Sequence, residues 1–182
     1  MANLSVGSQG SSYFDYAYRA EAFCAYAAIT APVIYTTAAG TGGPLLWNGT
    51  QNRNAIILGV SCALSVVSTV AAALGITGAA GQTAAPGTTT AITSVGCLKI
   101  GGALPQCQVY SVGTPTNAGT FFMPLMGLGT GALTVSDQIL GFIDLAGMIV
   151  VPPNSWVSIA ASATATTTVA SIGLIWAEQI LQ

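Results

Sequence analysis

The sequence predicts an all-β fold, an antiparallel β-sandwich, and three observations carry that prediction. In the longest apolar stretch, apolar residues recur at every second position, the pattern of a strand with one buried face. Turns built on Gly, Pro and Asn punctuate the chain at short intervals. No segment holds apolar residues at helical spacing over several turns. Many short strands between such turns make a sandwich or barrel, and the expected form here is jelly-roll-like. A length of 182 residues fits one domain. We read that domain as a sandwich over residues 21–182, preceded by an extended N-terminal arm over residues 1–20.

The elements follow in order. Residues 1–12 are small and polar and read as the free part of the arm. Residues 13–21 (YFDYAYRAE) are dense in aromatics and read as a short strand or the first turn of a helix. These rings either close one end of the core or anchor an interface. The candidate interface residues are Tyr13, Phe14, Tyr16, Tyr18 and Arg19. Residues 25–37 are rich in Ala, Ile, Val, Tyr and Thr, and residues 38–44 (AAGTGGP) form a loop. Leu45-Leu46-Trp47 precedes a turn at residues 48–52. The long strand comes next, with Ile56, Leu58, Val60, Cys62, Leu64 and Val66 on its expected buried face. A small-residue segment spans residues 75–90, and two further strands are expected at residues 91–100 and 106–112. Residues 120–126 (TFFMPLM) are apolar, residues 127–131 read as a connector, and residues 134–143 as a short strand or helical turn. The C-terminal part reads as strand (residues 147–151), Pro-Pro-Asn-Ser turn, strand (156–161), Thr/Ala turn (164–167) and closing strand (169–180). In the closing strand Ala170, Ile172, Leu174 and Trp176 share the buried face.

Composition narrows the function. The chain carries three basic and five acidic residues, 4% charged, against about 25% in ordinary soluble domains. Three basic residues do not neutralise a run of phosphates, so nucleic acid is excluded as a partner. The apolar composition, 52% hydrophobic, argues against disorder. Two explanations of the missing charge remain, lipid or protein around the chain. Residues 55–76 are long enough for a membrane helix, but the alternation describes a strand. Pro152-Pro153 breaks the second uncharged stretch, and no basic cluster flanks either one. The N-terminus has neither the basic nor the apolar part of a signal peptide. We therefore expect no membrane insertion and a surface covered by copies of the chain or by partners.

Little in the residue inventory carries catalysis. Histidine is absent, which removes the commonest general base and any Ser-His-Asp arrangement. The acids are Asp15, Glu21, Asp137, Asp144 and Glu178, and nothing in their spacing places two across a cleft. The run Gly127–Gly131 lacks the Lys and the helix of a phosphate-binding loop. Cys24, Cys62, Cys97 and Cys107 contain no C-x-x-C pair, and no metal or cofactor is expected. Cys62 reads as a buried thiol, while Cys97 and Cys107 flank a Gly101-Gly102 turn and are placed to face each other across a hairpin. In a reducing cytosol free thiols are expected. Asn48-Gly49-Thr50 matches a glycosylation sequon but reads as a turn.

Two stretches resemble a known kind of protein. One is Pro44-Leu45-Leu46-Trp47-Asn48-Gly49-Thr50 leading into the alternating strand. The other is residues 147–160 (GMIVVPPNSWVSIA) with the closing run Ser171-Ile172-Gly173-Leu174-Ile175-Trp176-Ala177-Glu178. Together they are similar to the C-terminal half of small β-sandwich virion proteins of tailed bacteriophages, the capsid decoration, cement and head-fibre components. The resemblance covers about half the chain. It implies a non-enzymatic virion subunit that forms a homo-oligomer, typically a trimer, and attaches to the major capsid protein or other virion proteins. The competing expectation is a receptor- or carbohydrate-binding module, whose cue would be Trp47, Trp156 and tyrosines exposed together on loops.

Overall fold

A computed structural model describes residues 11–30, 43–66, 72–92, 95–128, 140–163 and 169–181. Among these residues the chain forms one helix, α1 (Ser11–Tyr18), and eleven strands. The strands are β1 (Ala22–Thr30), β2 (Leu45–Asn48), β3 (Arg53–Val66), β4 (Ala72–Ala80), β5 (Gly87–Ala91), β6 (Val95–Cys97), β7 (Gln108–Thr114), β8 (Thr120–Leu128), β9 (Leu140–Val151), β10 (Ser155–Ala161) and β11 (Val169–Ile180).

The strands build two antiparallel sheets, ordered β6-β1-β11-β3-β9 and β5-β7-β2-β10-β4-β8. A jelly roll lies inside this order. β1 pairs with β11, β2 with β10, β3 with β9 and β4 with β8, so the chain is matched from its ends inward like a folded ribbon. Successive strands of this set alternate between the sheets except at the β4–β8 fold of the ribbon. β5, β6 and β7 are inserted at that fold and widen both sheets, β7 beside β2 and β6 beside β1. The expected sandwich is therefore present, with jelly-roll connectivity.

The space between the sheets holds Phe23, Leu46, Ile57, Val60, Leu64, Leu74, Ile76, Val157, Ile159, Ile172, Leu174 and Trp176. The rings of Phe23 and Trp176 sit 5.8 Å apart, centroid to centroid. β11 keeps the expected alternation: Ala170, Ile172, Leu174 and Trp176 are all buried. β3 does not. Leu58 is an extra residue opposite the Ile175–Trp176 step of β11, a β-bulge that shifts the side-chain parity. Beyond it Val60, Cys62 and Leu64 face the core; before it Ala55 and Ile57 do. Ile56 and Leu58, expected on the core face, point to the opposite side of the sheet, where Tyr16 and Ala17 of α1 cover them.

That covering corrects the expectation of an arm extended over residues 1–20. Ser11–Tyr18 is helical and packs on the sheet; residues 1–10 lie outside the described residues. The helix ends in a left-handed residue, Ala20 (φ 60°). There the Ala20 N–H donates to the Ala17 carbonyl (3.1 Å) and the Glu21 N–H to the Tyr16 carbonyl (2.9 Å), which satisfies two of the last-turn carbonyls.

The small-residue segment 75–90 contains most of β4 and part of β5. Gly75 is required by close approach: a Cβ there would lie 2.5 Å from the Met123 carbonyl oxygen and 2.3 Å from the Phe121 ring. Among the described residues of the expected strand 91–100, Val95–Cys97 and the end residue of β5 are strand, and the expected strand 106–112 begins at Gln108. Cys97 and Cys107 do not face each other across a hairpin. Cys97 ends β6 in one sheet and Cys107 precedes β7 in the other, and all four cysteines are free. Residues 127–128 belong to β8 rather than to a connector. The expected turn at 164–167 lies outside the described residues, as do residues 129–131 and 134–139.

Candidate functional site

The outer face of the β6-β1-β11-β3-β9 sheet is half covered and half open. α1 covers the part where Ala22, Ala177, Ile56 and Leu58 point outward. Cross-strand register then gives the rows beyond the helix. Cys24, Ile175, Gly59 and Asp144 form the next, and Tyr26, Gly173, Ser61 and Phe142 the one after. In that last row two aromatic side chains on β1 and β9 stand either side of small residues. The depression between them, about 360 Å³, is lined by Tyr26, Ser61, Cys62, Ala63, Gly141, Phe142 and Ser171. Tyr26 is 51% exposed and Phe142 55%. The Tyr26 hydroxyl donates to Ser171 Oγ at 2.9 Å. Phe142 leans over Gly59, where a Cβ would come within 2.6 Å of its ring.

The expected interface residues divide between two environments. Tyr16 is half-buried against the sheet, with the Arg19 guanidinium 5.5 Å from its ring centroid. Tyr18 is 69% exposed and has the Lys99 ammonium 5.7 Å from its ring. Arg19 Nε lies 3.3 Å from Glu21 Oε2 at the surface, a pair of small energetic weight. Tyr13 and Phe14 lie in the helix, but their side chains fall outside the described residues. Sequence reasoning missed the Tyr26–Phe142 row because its members come from four strands. The available signal was two aromatic residues set among small ones.

Glu178, Cys62, Cys107 and Asp144 are engaged structurally. Glu178 is 2% exposed, and its carboxylate accepts from the Gln106 N–H (3.0 Å), the Cys107 N–H (2.8 Å) and Trp176 Nε1–H (3.3 Å). It ties the segment leading into β7 to the last strand. Burial, then the adjacent Glu178 carboxylate, pushes the Cys107 thiol far up, and burial alone pushes the Cys62 thiol up to about 11. Both are protonated, unreactive thiols at neutral pH. Asp144 Oδ1 accepts from the Ala146 N–H at 2.8 Å within an excursion of β9, where Ala146 and Gly147 have positive φ. Asp137 lies outside the described residues. Among the described residues no group of three or more His, Cys, Asp or Glu is placed to hold a metal. None of the described helices is long and apolar enough to cross a membrane.

One end of the sandwich is knitted by buried amides. Asn48 donates to the carbonyls of Arg53 (2.8 Å) and Val151 (2.9 Å) and accepts from the Thr50 hydroxyl (2.6 Å). Its burial leaves no side chain for a glycan, as the turn reading expects. Gln82 accepts from the Thr116 N–H (2.8 Å), and its carbonyl accepts from Trp47 Nε1–H (3.0 Å). Beside this network lies a polar depression of about 320 Å³ lined by Trp47, Gly49, Thr50, Gln51, Asn52, Gln106 and Gln108. Trp156 and Trp176 are buried, so the three tryptophans do not form an exposed platform.

With this geometry in hand, comparison with protein-family models, curated proteins and solved structures finds no match.

Proposed function

We propose that the chain is a non-enzymatic structural subunit of a virion, a homo-oligomeric decoration, cement or head-fibre component that attaches to a shell. The observation that carries this reading is an almost uncharged jelly roll whose sheet faces still expose large apolar side chains. Tyr26, Phe122, Phe142, Met148 and Val150 are each about half exposed or more. Large apolar side chains grouped on a surface mark sites of association, and a shortage of charge lets copies pack without desolvating ions. The resemblance of residues 44–50, 147–160 and 171–178 to phage virion proteins supplies the virion assignment, since jelly rolls also serve other ends. The segment 1–20, with Tyr16, Tyr18 and Arg19 at its folded end, is the proposed attachment segment. Particles assembled with a chain lacking residues 1–20 should lose the protein on purification, while the full chain co-sediments with them. Undiminished incorporation of the shortened chain would contradict the attachment role.

A receptor- or carbohydrate-binding module is the second reading. The amide-lined depression beside Trp47 favours it, because Gln51, Asn52, Gln106 and Gln108 offer the donors and acceptors a neutral sugar needs. Binding of the purified chain to a glycan array, lost in Gln106→Ala, would favour this module over the structural subunit.

A further inference from the structure

The half of the outer sheet face that α1 leaves open belongs to the same surface that α1 buries. Cys24 and Ile175, half-buried, lie between the helix-covered row and the Tyr26–Gly173–Ser61–Phe142 row, so one continuous face passes from covered to uncovered. We infer that this open half packs against other copies of the same chain, with Tyr26 and Phe142 as ridges on either side of a floor of Ser61, Ala63, Ser171 and Gly173. The inference rests on the proposed homo-oligomer and names the surface that forms it.

Three observations favour a second copy as the occupant. The first is charge. None of the residues lining the depression is charged, and Asp144 stands at its margin. A partner of ordinary composition, about one quarter charged, would bury ions without counterions there. A chain with 4% charged residues supplies a neutral counterpart.

The second is the state of the sheet edges, the other route by which β-proteins associate. β6 is three residues long and β5 is five residues long with two register shifts. β8 carries Pro124 and two register shifts. On β9, residues 145–148 stand opposite Leu58 alone. These four terminal strands are too short, bulged or proline-bearing for regular strand addition, which favours the faces.

The third is shape. Three inter-strand steps separate β1 from β9, about 14 Å at the usual strand spacing. A ridge–floor–ridge relief of that width offers a groove that side chains of a neighbouring copy can enter, and contacts between copies usually close into a symmetric oligomer. The Tyr26 hydroxyl is already bonded to Ser171, so drying the face does not strand it.

The test is native mass spectrometry of the full chain, unmodified and as Ser61→Arg, Phe142→Lys and Ile100→Lys, with far-ultraviolet circular dichroism to confirm folding. Ile100 is fully exposed, lies in the β6–β7 connection and does not line the depression. The unmodified chain and Ile100→Lys should give the oligomer. Ser61→Arg and Phe142→Lys should give the 18.2 kDa monomer, with the dissociation constant raised roughly 100-fold, as for a central interface residue. If both face variants retain the oligomer mass, the interface is elsewhere while the homo-oligomer stands. If the unmodified chain is a monomer, the homo-oligomer itself fails and the face belongs to a different partner. Should a face variant not fold, hydroxyl-radical footprinting of the unmodified chain decides. Tyr26 and Phe142 should lose most of their reactivity on assembly from dilute protein, and unchanged reactivity would overturn the inference.

Discussion

At the scale of single residues, the buried polar groups work as clamps. Glu178 accepts N–H bonds from Gln106, Cys107 and Trp176 where water is excluded. Glu178→Gln turns an amide NH₂ toward those donors and should lower stability by about 2 kcal/mol, read from the urea midpoint. A change below about 0.5 kcal/mol, the range of a surface substitution, would show that the clamp is dispensable. Gly75→Ala forces a methyl group against the Met123 carbonyl and the Phe121 ring and should cost about 1–3 kcal/mol by overpacking. The thiols make a pH prediction. Cys62 titrates at about 11 in the fold against 9.0 for an unburied thiol. The fold thus holds the proton more tightly than the unfolded chain does. This contribution is complete below pH 9.0 and is lost as pH rises toward 11. Urea midpoints should fall across that window, and Cys62→Ala should flatten the fall. An identical slope in the variant would contradict the assignment. The burial of Cys62 was legible from its place on the apolar face of its strand; the Glu178 clamp and the burial of Cys107 were not, because both depend on which distant backbone lies alongside.

Elements show where sequence patterning reaches and where it stops. β11 was legible to its end residues, because a strand without bulges keeps strict alternation from Ala170 to Trp176. β3 was legible as a strand and in its facing from Val60 to Leu64 but not at Ile56 and Leu58, since the bulge at Leu58 inverts the parity and alternation alone does not reveal a bulge. β4 was hidden because its glycines serve close packing rather than turning, and the sequence does not show the Phe121 ring that demands Gly75. The aromatic cluster at residues 13–18 was legible as a contact segment. Its helical form was left open, and so was the choice of the sheet's outer face as its seat. Removing residues 1–20 uncovers Leu58, Ala22 and Ala177. The shortened chain should keep its far-ultraviolet spectrum while losing about 2 kcal/mol of stability, the scale of one large apolar side chain returned to water. Loss of the β-spectrum would show that α1 is required for folding itself.

For the whole molecule, the ordering of strands is what composition and periodicity could not deliver. The end-to-end matching of β1 with β11 through β4 with β8 is a property of long-range pairing. So is the row that brings Tyr26 and Phe142 to one face. The charge count was legible at once, and the fold gives it a place. The charges at Arg19, Glu21 and Lys99 gather around α1 and its exposed tyrosine. The depression on the open sheet face beyond is lined by uncharged residues, with Asp144 at its margin. A chain built this way is stable in water when that face is covered by neighbouring copies. Sedimentation equilibrium of the full chain without detergent tests this most directly. The proposed trimer gives a single species of three times the 18.2 kDa chain mass, and a stable 18.2 kDa monomer under the same conditions would contradict it.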